Sequence, residues 1–170
     1  MTGSQRNLII TGGILATLAI VAAVILVIRS AEAGRLKAAQ ESAHVYASNT
    51  LKGVLGAAAM IYKQEVRRDR DGDGVGEYGR LSDYFESELL DPATWTQRDG
   101  VVMRSHYGYH ARLSSEPDQN EHALRILAFP IEGPPGLHPL LLDEQNQVWV
   151  GPEDYRPQQA IDLAQWRVWE

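Results

Sequence analysis

The residues best suited to chemistry in this sequence are three aspartates at alternate positions before a glycine. They form the run Asp69-x-Asp71-x-Asp73-Gly74. In calcium-binding loops with this spacing, side-chain oxygens from alternate positions converge on one ion, and the glycine permits a sharp bend of the backbone. The run therefore predicts a Ca²⁺ site.

Further ligands for such a site follow from their distance along the chain. Val75 would supply a backbone carbonyl, and Glu77 stands at the ninth position of the loop. The twelfth position usually holds a bidentate glutamate but is Arg80 here, so Asp83 or Glu77 would have to complete the coordination. The alternative is a solvated turn whose aspartates accept hydrogen bonds from backbone amides.

The other polar and aromatic residues do not form a catalytic pattern. On a strand, His106 and His110 would share one face about 13 Å apart, too far to bind one metal. Trp149, Trp166 and Trp169 could form a docking surface, although such residues more often close a core over a sheet. The sequence has no cysteine, no phosphate-binding loop and no nucleophile–histidine–acid order. We therefore expect neither an enzyme nor a small-molecule substrate.

Charge is distributed unevenly along the chain. All 22 acidic residues follow Ile28, whereas only Arg6 of the 16 basic residues precedes it. An acidic surface of this kind repels the phosphates of nucleic acids and suits cations or basic partners. We therefore expect no nucleic-acid partner.

A long apolar segment, Leu8–Ile28, follows a short tail at residues 1–7. The segment has no charged residue, and its polar side chains are Thr11 and Thr17. As a helix it would span about 30 Å, the thickness of the bilayer core. This predicts a single transmembrane helix in contact with membrane lipid. The alternatives are a buried helix and a signal peptide cleaved near residues 31–33, but both normally have shorter apolar runs.

The helical pattern continues beyond the apolar segment to about residue 66. Ser30–Val66 contains no proline and is rich in strong helix formers. Small and apolar residues recur at steps of three and four, which predicts one continuous helix face. This face comprises Leu36, Ala39, Ala43, Tyr46, Thr50, Gly53, Ala57 and Met60 or Ile61.

The remainder of the chain predicts a small antiparallel sheet. An Asp/Gly-rich loop at residues 67–80 is followed by a short helix within Leu81–Leu90. Alternation and turn residues then predict three or four strands, within His106–Leu113, Ala123–Phe129, Leu140–Leu142 and Val148–Val150. Gln158–Glu170 is predicted to be a short amphipathic helix. The fold class is therefore α+β, with a soluble domain at residues 29–170 in which the long helix packs on the sheet.

This order of elements resembles the type IV pilin family, which includes the pseudopilins of type II secretion. The local matches are Asp69–Leu81, the Tyr-Gly-Tyr within His106–Leu113, and Ile126–Val150. In that family one helix is half membrane anchor and half spine of a small antiparallel domain. The resemblance implies a structural or assembly subunit of a bacterial envelope secretion or pilus-type machine. It also implies a single-pass inner-membrane protein whose C-terminal domain is periplasmic.

The start of the chain departs from the pattern of that family. A prepilin has a basic leader, a glycine cleavage point and a glutamate five residues later. Here Gly12-Gly13-Ile14 lies inside the apolar run, and Leu18 stands where the glutamate would be. This favours an uncleaved anchor. It also leaves open an alternative, in which the chain is a bitopic envelope binding module whose pilin-like domain does not enter a filament.

Orientation in the membrane is predicted differently by two signals. Arg29, Arg35 and Lys37 follow the apolar segment, whereas Arg6 precedes it. The positive-inside rule, counted simply, places the large domain in the cytoplasm. The resemblance places the same domain outside the cytoplasmic membrane.

The resemblance also divides the long helix by role. The membrane-distal half would pack on its own sheet, and the membrane-proximal half would contact neighbours through small residues. We therefore expect the core to include Val54, Leu55, Ala58 and Ile61. The exposed stretch near Arg35–Ala47 would associate with a second copy or another protein partner.

Overall fold

A computed structural model describes the backbone of residues 3–98 and 101–169, and the side chains of 18–97, 101–116 and 118–169. A long N-terminal helix and an antiparallel sheet confirm the predicted α+β class. The helical part comprises α1 (Gly3–Asn49), a π-helix (Thr50–Gly56), α2 (Ala57–Gln64), α3 (Leu81–Glu86) and α4 (Pro117–His122). The chain divides into two compact units, Met1–Ala39 and Gln40–Glu170.

The first unit is helical from Gly3 to its end. Its large apolar side chains between residues 18 and 28 are all exposed, from 46% at Ile25 to 68% at Leu26. The predicted membrane segment begins at Leu8, and its residues 8–17 have side chains outside the described part. Among the described residues, no helix combines the length and the apolar character that crossing a membrane requires.

The second unit contains a seven-stranded antiparallel sheet in which every strand pairs with its neighbours in sequence. The strands are β1 (Thr96–Arg98), β2 (Val101–Arg104), β3 (Tyr107–Ala111), β4 (Ile126–Pro130), β5 (Leu140–Leu142), β6 (Val148–Val150) and β7 (Arg167–Val168). The four predicted strand regions are confirmed as β3 to β6. The prediction of three or four strands was too low, because β1, β2 and β7 are too short to show alternation.

Both faces of the sheet are covered at β4 to β6. Because side chains alternate along a strand, Ile126 and Ala128 of β4 join the core beneath the helix, while Leu127 points to the opposite face. On that opposite face, Leu127 and Leu141 pack with Tyr155 of the C-terminal segment, which comprises residues 151–169 after β6. The sheet is therefore a central layer between the helix and the C-terminal segment.

The helix contacts the sheet through residues spaced four apart, which are Ala43, Ala47, Leu51, Leu55 and Ala59. In a regular α-helix each step of four rotates about 40° away from the previous residue. The π-helix at residues 50–56 forms i→i+5 bonds, which widen the turn and rotate the chain back. The local bulge therefore holds the five residues on one face.

Part of the predicted helix face was wrong. Ala43 and Thr50 are buried as predicted, whereas Tyr46, Gly53 and Ala57 are exposed. At Gly53 and Ala57 the π-helix has broken the period of 3.6 residues that the prediction assumed. Leu55 and Ala58 are buried core residues as predicted, whereas Ile61 is 42% exposed and Val54 is half-buried.

The stretch near Arg35–Ala47 is only partly exposed. Ala43, His44 and Ala47 are buried, and the Nε2 of His44 accepts a hydrogen bond from the His138 amide at 2.9 Å. The prediction that this whole stretch is exposed was therefore wrong. Residues 35–39 and the outward-facing positions of the next turns remain accessible.

The C-terminal segment does not form the predicted amphipathic helix. It contains a short 3₁₀ turn at Leu163–Gln165, after which β7 pairs with β6, placing Val168 opposite Trp149. Ile161 and Leu163 pack against the opposite face of the sheet. A period of two and a period of 3.6 cannot be distinguished over so few apolar residues.

The helix ends in a turn that favours glycine but contains valine. The Val66 amide donates to the Lys63 carbonyl at 3.0 Å, and the Arg67 amide donates to the Tyr62 carbonyl at 3.3 Å. These two bonds form a Schellman motif, whose left-handed residue is usually glycine. Val66 occupies that position at φ 49°, which is unfavourable for a β-branched side chain.

We expect Val66→Gly to stabilise the domain by about 1 kcal/mol, because glycine adopts this conformation without steric cost. Thermal unfolding would show a melting temperature higher by roughly 3–5 °C. Val75→Gly is the matched control, since Val75 is equally exposed and has no positive φ. A stabilisation of the same size in both variants would contradict the assigned backbone strain.

Candidate metal centre

The loop between α2 and α3 is shaped by glycines at two positions. Gly74 adopts φ 87°, a conformation that other residues rarely take. At Gly76 the loop passes so close to α2 that a Cβ would lie 1.9 Å from the Lys63 carbonyl oxygen. These positions fold the loop back against the end of the helix.

The three alternate aspartates of the loop lie close together. One carboxylate oxygen from each of Asp69, Asp71 and Asp73 lies within 4.8 Å of the other two. Backbone amides also bond to these side chains. Asp69 accepts from Gly72 at 2.7 Å and from Gly74 at 3.0 Å, and other aspartate–amide bonds are Asp73 N to Asp71 and Val75 N to Asp73. The carboxylates therefore shape the turn and leave further oxygen atoms for a ligand.

Two of the other predicted ligands have different partners. Glu77 is almost fully buried, where its Oε1 accepts from the Arg70 amide at 2.8 Å and its Oε2 lies 3.6 Å from Arg68 Nε. Asp83 caps α3 by accepting from the Arg80 amide at 2.8 Å, and it also bonds to Arg68 at 3.1 Å. Both side chains thus hold the base of the loop. Val75 is exposed at the outer end of the loop.

Sequence reasoning missed a second group of carboxylates. Ligand oxygens of Asp71, Asp118 and Glu121 also lie within 4.8 Å of one another. Asp118 and Glu121 are three residues apart on α4, so they share one side of that short helix. Their spacing after Pro117 was the only local signal, and Asp118 lies 47 residues beyond Asp71 in the sequence.

Several hydrogen bonds fix α4 beside the loop. The Tyr78 amide donates to the Asn120 carbonyl at 2.9 Å, and the Lys63 ammonium donates to the Glu121 carbonyl. The buried Asn120 side chain also bonds to both backbone groups of Ser114. The loop, α2 and α4 are therefore joined by hydrogen bonds that do not depend on the acidic side chains.

Glu121 is the unusual member of the group. It is 5% exposed, and its Oε1 has no hydrogen-bond partner in the part of the chain that the structure describes. Its Oε2 lies 3.9 Å from the exposed His122 ring. A buried carboxylate oxygen without a partner is costly, because its hydration is lost and not replaced.

Desolvation and repulsion raise the pKa values of Glu121 and Asp71, whereas backbone hydrogen bonds lower that of Asp69. Burial raises the pKa of Glu121, and the charges of Asp73, Asp71 and Asp118 raise it further. The Asp73 amide lowers the pKa of Asp71, but desolvation, the Asp73 charge and hydrogen bonds with Asp118 and Asp69 outweigh that effect and raise it. Burial alone would raise the pKa of Asp69, yet the amides of Gly72 and Gly74 leave it below its usual value.

The remaining sequence candidates lie elsewhere. His110 lies on β3, where desolvation of its ring, followed by the charges of Arg112 and Arg80, lowers its pKa. Trp166 is buried on the opposite face of the sheet, Trp149 donates to Asp143 at 2.7 Å, and the Trp169 ring lies 5.5 Å from that of His44. All three tryptophans thus pack within the domain, as expected of core residues.

Comparison of the chain with protein-family models, with curated proteins and with solved structures found no match. The chemistry of the acidic group therefore rests on its own geometry.

Proposed function

We propose that this chain is a single-pass membrane protein and a pilin-like structural or assembly subunit of a bacterial envelope secretion or pilus-type machine. One observation carries the proposal. The same α1 helix bears exposed apolar residues from Leu18 to Ile28 and, further along, contributes Ala43 and Ala47 to the core of an antiparallel α+β domain.

The exposed apolar residues support the membrane part of the proposal. Within Leu18–Ile28 every described side chain is apolar and exposed. Leaving so much contiguous apolar surface in water is unfavourable, whereas lipid would cover it on all sides of a helix. The sequence extends the same character back to Leu8, which brings the segment to the length of a bilayer core.

The pilin-like part of the proposal is supported by the order of elements and by the resemblance of the sequence. A long helix, a loop, a short helix and an antiparallel sheet follow one another, and the later turns of the helix, from Ala43 onward, pack in the core of the sheet domain. By that resemblance we place the domain in the periplasm and the anchor in the inner membrane. The role is non-catalytic.

The helix between the apolar segment and the core offers a surface for assembly. Leu36 and Val45 are 39% and 45% exposed, and Lys37 and Glu41 are exposed between them. A subunit that assembles within the membrane would contact its neighbours here, close to the bilayer. The buried residues Ala43 and Ala47 are excluded from this surface.

Cysteine crosslinking in membranes tests the assembly role. Because the sequence contains no cysteine, each introduced cysteine is the only one in the chain that can crosslink. Single cysteines at Lys37, Glu41 and Val45 should each form a crosslink to a neighbouring subunit or partner. A cysteine at Glu153 is the matched control, because that residue is exposed in the sheet domain and lies outside the proposed surface.

If Lys37→Cys, Glu41→Cys and Val45→Cys all fail to crosslink while the protein remains in the membrane, the assembly role fails. A bitopic binding module that stays monomeric would then be the better account. Crosslinking of the Glu153→Cys control with equal efficiency would place the contact elsewhere.

A further inference from the structure

We propose that Asp71, Asp118 and Glu121 bind a calcium ion between the Asp/Gly loop and α4. This ligand set differs from the one that the sequence predicts, because it joins the loop to a second element and replaces Glu77 and Asp83. It is independent of the proposed role in the membrane.

The unpartnered oxygen of Glu121 indicates that a ligand belongs in this position. The neighbouring Lys63 ammonium does not pair with this oxygen. It donates to the Glu121 backbone carbonyl and lies 4.9 Å from the centre of the Tyr78 ring. Arg68 is held by Glu77 and Asp83. Among the described residues, the exposed His122 is the one basic group paired with the Glu121 carboxylate, and it lies 3.9 Å from the other oxygen, Oε2.

The arrangement of oxygens matches the requirements of Ca²⁺. Oxygens bound to one ion at 2.3–2.6 Å can be separated by at most about 5 Å. The three carboxylates satisfy this limit, since their ligand atoms lie within 4.8 Å of one another. All the ligand atoms are oxygens. Calcium takes oxygen ligands, whereas softer transition metals favour sulfur or imidazole nitrogen. Asp71 and Asp118 are exposed, so water can complete a shell of six to eight ligands.

Asp69 and Asp73 have a supporting role in this site. Their carboxylates bond to the amides of Gly72, Gly74 and Val75 and so hold the bend that presents Asp71. The negative charge of Asp73 also acts on Glu121. An ion at this position would neutralise the repulsion among these acids and join two segments that are distant in the sequence.

The test uses the full chain, purified in detergent and stripped of metal with a chelator. Adding 10 mM Ca²⁺ should raise the melting temperature of the wild-type protein by roughly 3–6 °C, as expected for a dissociation constant near 1 mM or below. Glu121→Gln and Asp118→Asn should each weaken calcium binding at least tenfold in calorimetric titrations.

Glu153→Gln is the control, because it removes one exposed acid of the same type and should keep the full calcium response. Without metal, Glu121→Gln should melt at or above the wild-type temperature, since it removes an unpaired buried charge. If Glu121 had only a structural role, Glu121→Gln would instead lower the melting temperature.

Three outcomes would overturn the proposal. The first is an unchanged wild-type melting temperature in 10 mM Ca²⁺. The second is a full calcium response in Glu121→Gln, which would assign any binding to the loop alone. The third is a metal-free Glu121→Gln protein that is markedly less stable than the wild type.

Discussion

Full-length protein carrying both Ala19→Arg and Ala22→Arg should be lost from the membrane fraction. Both alanines are exposed on the helix within the apolar segment. Arginine near the centre of a membrane helix costs about 2.5–3.5 kcal/mol by insertion scales, so two substitutions outweigh the favourable transfer of several apolar residues. Carbonate extraction of membranes, followed by detection of the chain in pellet and supernatant, measures the effect.

The matched control is Ser30→Arg with Ala33→Arg, which adds the same charge to the same helix beyond the apolar segment. This variant should stay in the pellet, because arginine is tolerated at the ends of a membrane helix. Recovery of the wild-type chain in the supernatant would contradict the anchor. Retention of the Ala19→Arg, Ala22→Arg variant in the pellet would also contradict it.

Leu55→Asp should unfold the second unit. Leu55 is fully buried in the π-helix, and that helix contacts β4 and β5. Truncating a buried leucine costs about 2–5 kcal/mol, and an unpaired buried charge adds further destabilisation. A domain of this size is typically stable by about 5–15 kcal/mol, so the loss is comparable to the whole. Limited proteolysis and near-UV circular dichroism of the detergent-purified chain report the folded fraction.

Ala57→Asp distinguishes the observed helix face from the face that periodicity predicts. Ala57 lies on the predicted face but is exposed, two residues after Leu55. Its substitution should cost less than about 1 kcal/mol, the difference in helix propensity. Unfolding by Ala57→Asp together with tolerance of Leu55→Asp would show that the helix packs through its other side.

The sheet was easier to predict than the packing of the helix. In β3 the residues Tyr107, Tyr109 and Ala111 are all buried, so alternation in the sequence indicates both the strand and its inner face. Helix periodicity predicted the long helix, but it assigned Gly53 and Ala57, which are exposed, to the same face as the buried Ala43 and Thr50. The reason is local, since the π-helix breaks the period of 3.6 residues and no residue pattern marks such a bulge.

The candidate metal centre was predictable only where its residues are local in sequence. Asp69, Asp71 and Asp73 are close together because they alternate within one short loop. Asp118 and Glu121 join Asp71 through the tertiary fold, which fixes α4 to the loop by the Tyr78–Asn120 backbone bond. Contacts of that kind leave no spacing pattern in a single sequence.

The pairing of every strand with its sequence neighbour has a consequence for synthesis. Each hairpin can form soon after its second strand emerges, because all strand pairs are local. The ribosome makes the helix first. Strands β4 and β5, which cover the helix, are complete only after about 80 more residues have been added. At the usual elongation rates this delay is roughly 4–16 s. During that interval Leu51 and Leu55 remain uncovered, so the nascent chain presents a hydrophobic stripe that a chaperone could bind before the domain closes.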